Sequence, residues 1–188
     1  MRNRLHNTII FATLGLLMII SYAFMPVFLG VWGGMPTSFV LPASLMMVFS
    51  HHTSAHLLSN LMVGSLASIM LIVSMSRYQI YAVLFFGSLS GGIGAWFGTG
   101  SLHIGSSGLV WAMITSGLLY GLSKVEEKWV KLAYVPTLFS VGMLVNTLIP
   151  MDGVSFESHV GGALGGLVIG HMMLAVEGFQ EIYLARPE

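Results

Sequence analysis

Three short stretches of the chain hold residues able to do chemistry, and each lies in apolar sequence where polar groups need a reason. They are GSSG at Gly105–Gly108, HHTSAHLLSN at His51–Asn60 and SHVGGALGG at Ser158–Gly166. Burying such groups in a bilayer is costly unless they are paired or hydrated. A serine opening a helix sits among unpaired backbone N–H groups at the positive end of the helix dipole, a place that favours a developing anion. Taken alone, GSSG is a weak signal and reads first as small residues at a helix contact with Ser as N-cap. His56 and Asn60, at i and i+4, share a helix face, and both donate hydrogen bonds as an oxyanion requires. Taken alone, they read equally as polar residues bonding across helices. At about 100° per residue, His159, Gly162, Gly166 and Gly170 fall within roughly 80° of one another. Glycines on that face bring a neighbouring backbone close and carry His159 against it.

Together the three supply the parts of an acyl-transfer site. Ser107 is the nucleophile that needs a base, and His159 is the base, since imidazole titrates near neutrality. The donor pair His56 and Asn60 serves the tetrahedral oxyanion. A triad acid is missing, because Asp152 is in a loop and Glu157 lies on nearly the opposite helix face from His159. The expectation is therefore a Ser–His dyad. His51 and His52 fall nearer the interface, His103 precedes the fourth apolar segment, and His171 lies off the glycine face.

The elements that must position these residues are membrane helices. Of 188 residues, 55% are hydrophobic and 7% charged, with a mean hydropathy of +0.86, whereas soluble domains carry about 25% charged residues. A bilayer core of about 30 Å takes roughly 20 apolar residues per helix. That ruler predicts six spans in one domain covering 1–188, at approximately Thr8–Leu29, Ser54–Ser74, Ile80–Phe97, Ser107–Leu122, Val130–Ile149 and Val154–Val176. The first run is too long for a signal-peptide core and has no A-x-A-like site after it, so a retained span is expected. With six spans, Arg2, Arg4, Arg77, Lys124, Lys128, Lys131 and Arg186 all fall on one side. The positive-inside rule makes that side the cytoplasm, with both termini in it.

The fourth span is short, about 24 Å of helix. If it reaches the cytoplasmic face near Lys124, it starts inside the membrane. The glycine-rich loop before it must dip inward, which is tolerated only where the backbone is buried or lines a wet cavity. Ser107 is then submerged but reachable by water from outside. The basic residues form no nucleic-acid footprint. With no cysteine there is neither a disulfide framework nor a thiolate metal site.

G-x-S-G at Gly105–Gly108 opening the fourth span, H-x-x-x-N at His56–Asn60 on the second and H-x-x-G-x-x-x-G at His159–Gly166 on the sixth resemble the rhomboid intramembrane serine proteases. Motif order, span assignment and the six-helix bundle all match that family. The resemblance implies Ser107 as nucleophile and His159 as general base, with His56, Asn60 and the Ser107 backbone N–H as the oxyanion hole. Gly105, Gly108, Trp111, Gly162 and Gly166 support them. It implies transmembrane protein substrates in a lipid bilayer, neither cofactor nor metal, and a bacterial cytoplasmic membrane with the site opening outward. Two departures stand out. Many bacterial rhomboids carry Tyr, stacked on the catalytic histidine, where this chain has Trp111, and the family's Trp-Arg pair in the first outer loop is absent. Two alternatives remain at this point: an inactive rhomboid-like protein that binds membrane clients, and a small His-rich transporter or metal-handling protein. No HExxH motif and no acidic residue in a span core support the latter.

Overall fold

Apolar runs bounded by polar caps set the helices. The computed structural model describes residues 2–24, 30–98, 102–124, 126–149 and 155–184. Seven α-helices occur among them: α1 Arg2–Phe24, α2 Thr37–Met47, α3 Ser54–Ser74, α4 Arg77–Phe97, α5 Ser107–Leu122, α6 Lys128–Leu144 and α7 Phe156–Leu184. A 3-10 turn, Val145–Leu148, continues α6. Two short strands, β1 Val31–Trp32 and β2 Leu102–His103, pair antiparallel with Val31 opposite His103. Thr53 caps α3 by accepting from the His56 N–H at 3.1 Å, and Ser76 with Gln79 forms a reciprocal capping box on α4.

Five described helices are long and apolar enough to cross a membrane: α1, α3, α4, α6 with its 3-10 turn, and α7. Large apolar side chains such as Leu16, Phe86, Phe139 and Val168 stand exposed on the outside. An apolar surface of that extent meets lipid rather than water, and the chain is a multi-pass membrane protein. The other two helices, α5 with 16 residues and α2 with 11, are apolar but shorter.

Several helix ends run past the apolar segments, while α6 gives way to the 3-10 turn after Leu144 rather than running to Ile149, and α7 begins at Phe156 rather than Val154. α1 begins at Arg2 rather than Thr8, α4 at Arg77 rather than Ile80, and α7 runs to Leu184 rather than Val176. Hydropathy measures the part of a helix suited to lipid, while backbone hydrogen bonding continues into polar flanks. The segment between α1 and α3 contains a helix, α2, with Pro36 at its N-cap and Pro42 inside it. Residues 25–29, the expected end of the first span, and the loop 150–153 lie outside the described residues.

α5 is the centre of the bundle, packed by α3, α4 and α7. Its side towards α3 is filled by Val110 and Ile114 with Val63, Ala67, Met70 and Leu71, all buried. Towards α7 the contact is made by backbone. A Cβ on Gly162 would collide with the Gly108 carbonyl, and one on Gly166 with the Ala112 carbonyl and the Thr115 hydroxyl. A second glycine face of the same helix, Gly161 and Gly165, meets Ser90 and Gly94 of α4. Polar clamps hold the far end of the bundle. The Tyr120 hydroxyl and the Gln79 amide both donate to Glu177, whose other oxygen lies 3.5 Å from Lys124 Nζ. Asn7 of α1, fully buried, donates to the Met75 carbonyl at 2.9 Å, satisfying a carbonyl at the end of α3.

Candidate active site

Ser107 is the first residue of α5, and the loop before it is pinned from several sides. β2 pairs with β1, the Gly105 N–H donates to the Met47 carbonyl at 2.9 Å, and His103 bonds Ser155 at 2.7 Å, tying the loop to the start of α7. Gly105 has φ of +109°, a conformation that suits glycine. A Cβ there would lie 2.8 Å from His56 Nε2 and 3.4 Å from Asn60 Nδ2, so the loop passes directly against that donor pair. The Ser107 N–H stands in the first turn of α5, where no intrahelical acceptor exists.

The glycine faces then place the histidine. Gly108 of α5 and Gly162 of α7 touch backbone to backbone beside Ser107 and His159, and a Cβ on Gly108 would come 2.6 Å from Ser158 Oγ. The result is a hydrogen bond of 2.6 Å between Ser107 Oγ and His159 Nε2. His159 is 4% exposed, and its Nδ1 lies 2.9 Å from the Thr147 carbonyl oxygen. A carbonyl only accepts, so Nδ1 carries the proton and Nε2 presents its lone pair to the serine hydroxyl. That is the tautomer a general base needs.

Ser107, His159, His56 and Asn60 open on one cavity of about 630 Å³, which His52, His103, Thr147 and Ser155 also line. Ser107 is half-buried, whereas the neighbouring Ser106 is 3% exposed with its hydroxyl unpartnered. Only Ser107 of the two faces the cavity. Asp152 lies outside the described residues. Glu157 sits where its charge acts on His103. Among the described residues no group of three or more His, Cys, Asp or Glu side chains is arranged to hold a metal ion.

Two residues gain a place in the site that the sequence did not mark. His51 is 1% exposed, and its Nε2 lies 3.1 Å from Asn60 Nδ2, accepting from the amide. Burial, reinforced by the neighbouring His56, pushes its pKa down to about 4, so it stays a neutral acceptor at physiological pH. Burial also holds His103 below the usual histidine range. The second residue is Thr147, which acts on His159 through its backbone. Trp111 meets this group sideways: its indole N–H donates to Thr147 Oγ1 at 3.1 Å. Ring contacts among the described residues do not include a Trp111–His159 stack. His171 is exposed on α7, away from the cavity lining.

Comparison with known proteins agrees with this arrangement at the level of the family. The Rhomboid domain matches residues 41–176, a stretch holding α3 through most of α7. The chain belongs to the rhomboid family. Uncharacterised proteins of Mycobacterium bovis and Mycobacterium tuberculosis are 30% identical to it over 159 residues, 79% of this chain. The chain spans 61% of the length of those curated relatives.

Proposed function

We propose that this protein is an intramembrane serine endopeptidase that cleaves peptide bonds in or beside transmembrane segments of other membrane proteins. The observation that carries the reading is the 2.6 Å bond between Ser107 Oγ and His159 Nε2, with His159 Nδ1 bonded to the Thr147 carbonyl. Ser107 Oγ attacks the scissile carbonyl carbon while His159 Nε2 takes its proton. The Ser107 N–H, Asn60 and His56 donate to the oxyanion of the tetrahedral intermediate. The C–N bond then breaks, and His159 returns the proton to the leaving amine. Water from the cavity attacks the acyl ester with His159 again as base. The new acid departs as Ser107 regains its proton.

In this reading α5 is a short fourth span of six, starting below the outer surface, with α1, α3, α4, α6 and α7 as the others. Both termini are cytoplasmic and the site opens to the outer side of a bacterial cytoplasmic membrane. Substrates are transmembrane proteins whose helix unwinds near the cut, because an intact helix hides its carbonyls in hydrogen bonds. Family membership supports lateral access beside α3 and α6, with α6 and the roof over the site as gates.

Purified protein in detergent is expected to react with a fluorophosphonate probe. Labelling should vanish in Ser107→Ala and persist in Ser106→Ala; label retained in Ser107→Ala would overturn the assignment. Loss of His159 should abolish turnover of a reconstituted transmembrane substrate by removing the base.

A further inference from the structure

A dyad lacks the carboxylate that orients the histidine in a triad, so something else must hold the ring. His159 Nδ1 lies 2.9 Å from the carbonyl of Thr147, in the 3-10 turn that continues α6. That carbonyl is on a single turn of four residues. Its residue is braced at the side chain. Thr147 Oγ1 donates to the Leu144 carbonyl at 2.7 Å and accepts from the Trp111 indole N–H at 3.1 Å. Trp111 is 3% exposed and sits one turn into α5 from Ser107, so the brace is fixed to the helix that carries the nucleophile.

We infer that Thr147 is the positioning residue of the dyad: its hydroxyl, locked between Trp111 and Leu144, aims the backbone carbonyl that orients His159. The inference rests on the proteolytic reading of Ser107 and His159, and it assigns Trp111 a hydrogen-bonding task in place of ring stacking. Because Thr147 belongs to the end of α6, the seating of His159 depends on where that end stands. Removing the hydroxyl leaves the carbonyl in the chain but frees its direction, and misplacement of catalytic groups on the scale of an ångström costs about a hundredfold in rate.

Steady-state cleavage of a reconstituted transmembrane substrate tests this. Thr147→Val, nearly isosteric but without the hydroxyl, should lower kcat by roughly tenfold to a hundredfold with KM near wild type. Thr147→Ser, which keeps the hydroxyl, should restore kcat to within about twofold of wild type. Trp111→Phe should lower kcat in the same way, and the double variant Thr147→Val with Trp111→Phe should be no worse than the worse single variant, since both break one link. Wild-type kcat in Thr147→Val, or equal damage in Thr147→Ser and Thr147→Val, overturns the inference while Ser107-dependent turnover leaves the proteolytic reading standing. Turnover or labelling that survives Ser107→Ala removes that reading first, and the inference with it.

Discussion

At the scale of single residues, the site is a chain of hydrogen bonds in which each member sets the state of the next. The Thr147 carbonyl fixes the His159 tautomer and leaves Nε2 to accept from the Ser107 hydroxyl, while His51 holds the Asn60 amide. His51 makes a pH prediction. Unfolded, it takes a proton near the ordinary histidine value of about 6.5; folded, burial and His56 hold it at about 4. Between those values the unfolded state binds more protons, so stability falls as pH drops from about 6.5 towards 4. The loss from this group is on the order of 2 kcal/mol at pH 5. Thermal unfolding in detergent at pH 7 and pH 5 should show a smaller acid-induced drop for His51→Asn than for wild type, and an unchanged drop would place the acid sensitivity elsewhere. Ser107, His159, His56 and Asn60 were legible as candidates because their side chains carry the chemistry at helical spacing. Thr147 was not, since it works through a carbonyl that every residue type possesses. His51 was not either, because its bond to Asn60 spans a helix start where no periodicity operates.

At the scale of elements, two glycine faces of α7 decide how closely the helices approach. One seats Gly162 and Gly166 on α5, and the other seats Gly161 and Gly165 on α4. The first was readable from the spacing with His159. The second follows only from knowing that α7 packs against two helices at once. Gly162→Ala should put its methyl into the Gly108 carbonyl, push α7 away from Ser107 and cost about 1–3 kcal/mol as overpacking does. Gly178→Ala is the control, since nothing lies within 4 Å of the added carbon there. Thermal unfolding should therefore fall for Gly162→Ala and hold or rise slightly for Gly178→Ala, with activity lost only in the former. Similar melting of the two variants would mean that α7 does not rest on α5 as described.

At the scale of the whole molecule, the charge pattern predicts an orientation that the fold alone does not. If all seven Lys and Arg face the cytoplasm, α2 lies outside and the loop between α5 and α6 lies inside. The chain has no cysteine, so single thiols report cleanly. In right-side-out membrane vesicles an impermeant maleimide should label Ser38→Cys at once and Glu126→Cys only after permeabilisation. The reverse order would invert the topology.

The sequence by itself determined the helical membrane class, because composition and apolar run length respond directly to the solvent the chain must occupy. It also offered the candidate residues for reaction, since those depend on side-chain type and short-range spacing. Only the tertiary structure decided what joins them. The bond from Ser107 to His159 spans 52 residues and exists because glycine faces bring two backbones into contact. The carbonyl that orients His159 comes from a further element, the 3-10 turn after α6, and the indole that braces its residue comes from α5 itself. Such partners are chosen by where helices meet, and helix contacts depend on the shape of the whole bundle rather than on any segment's own pattern.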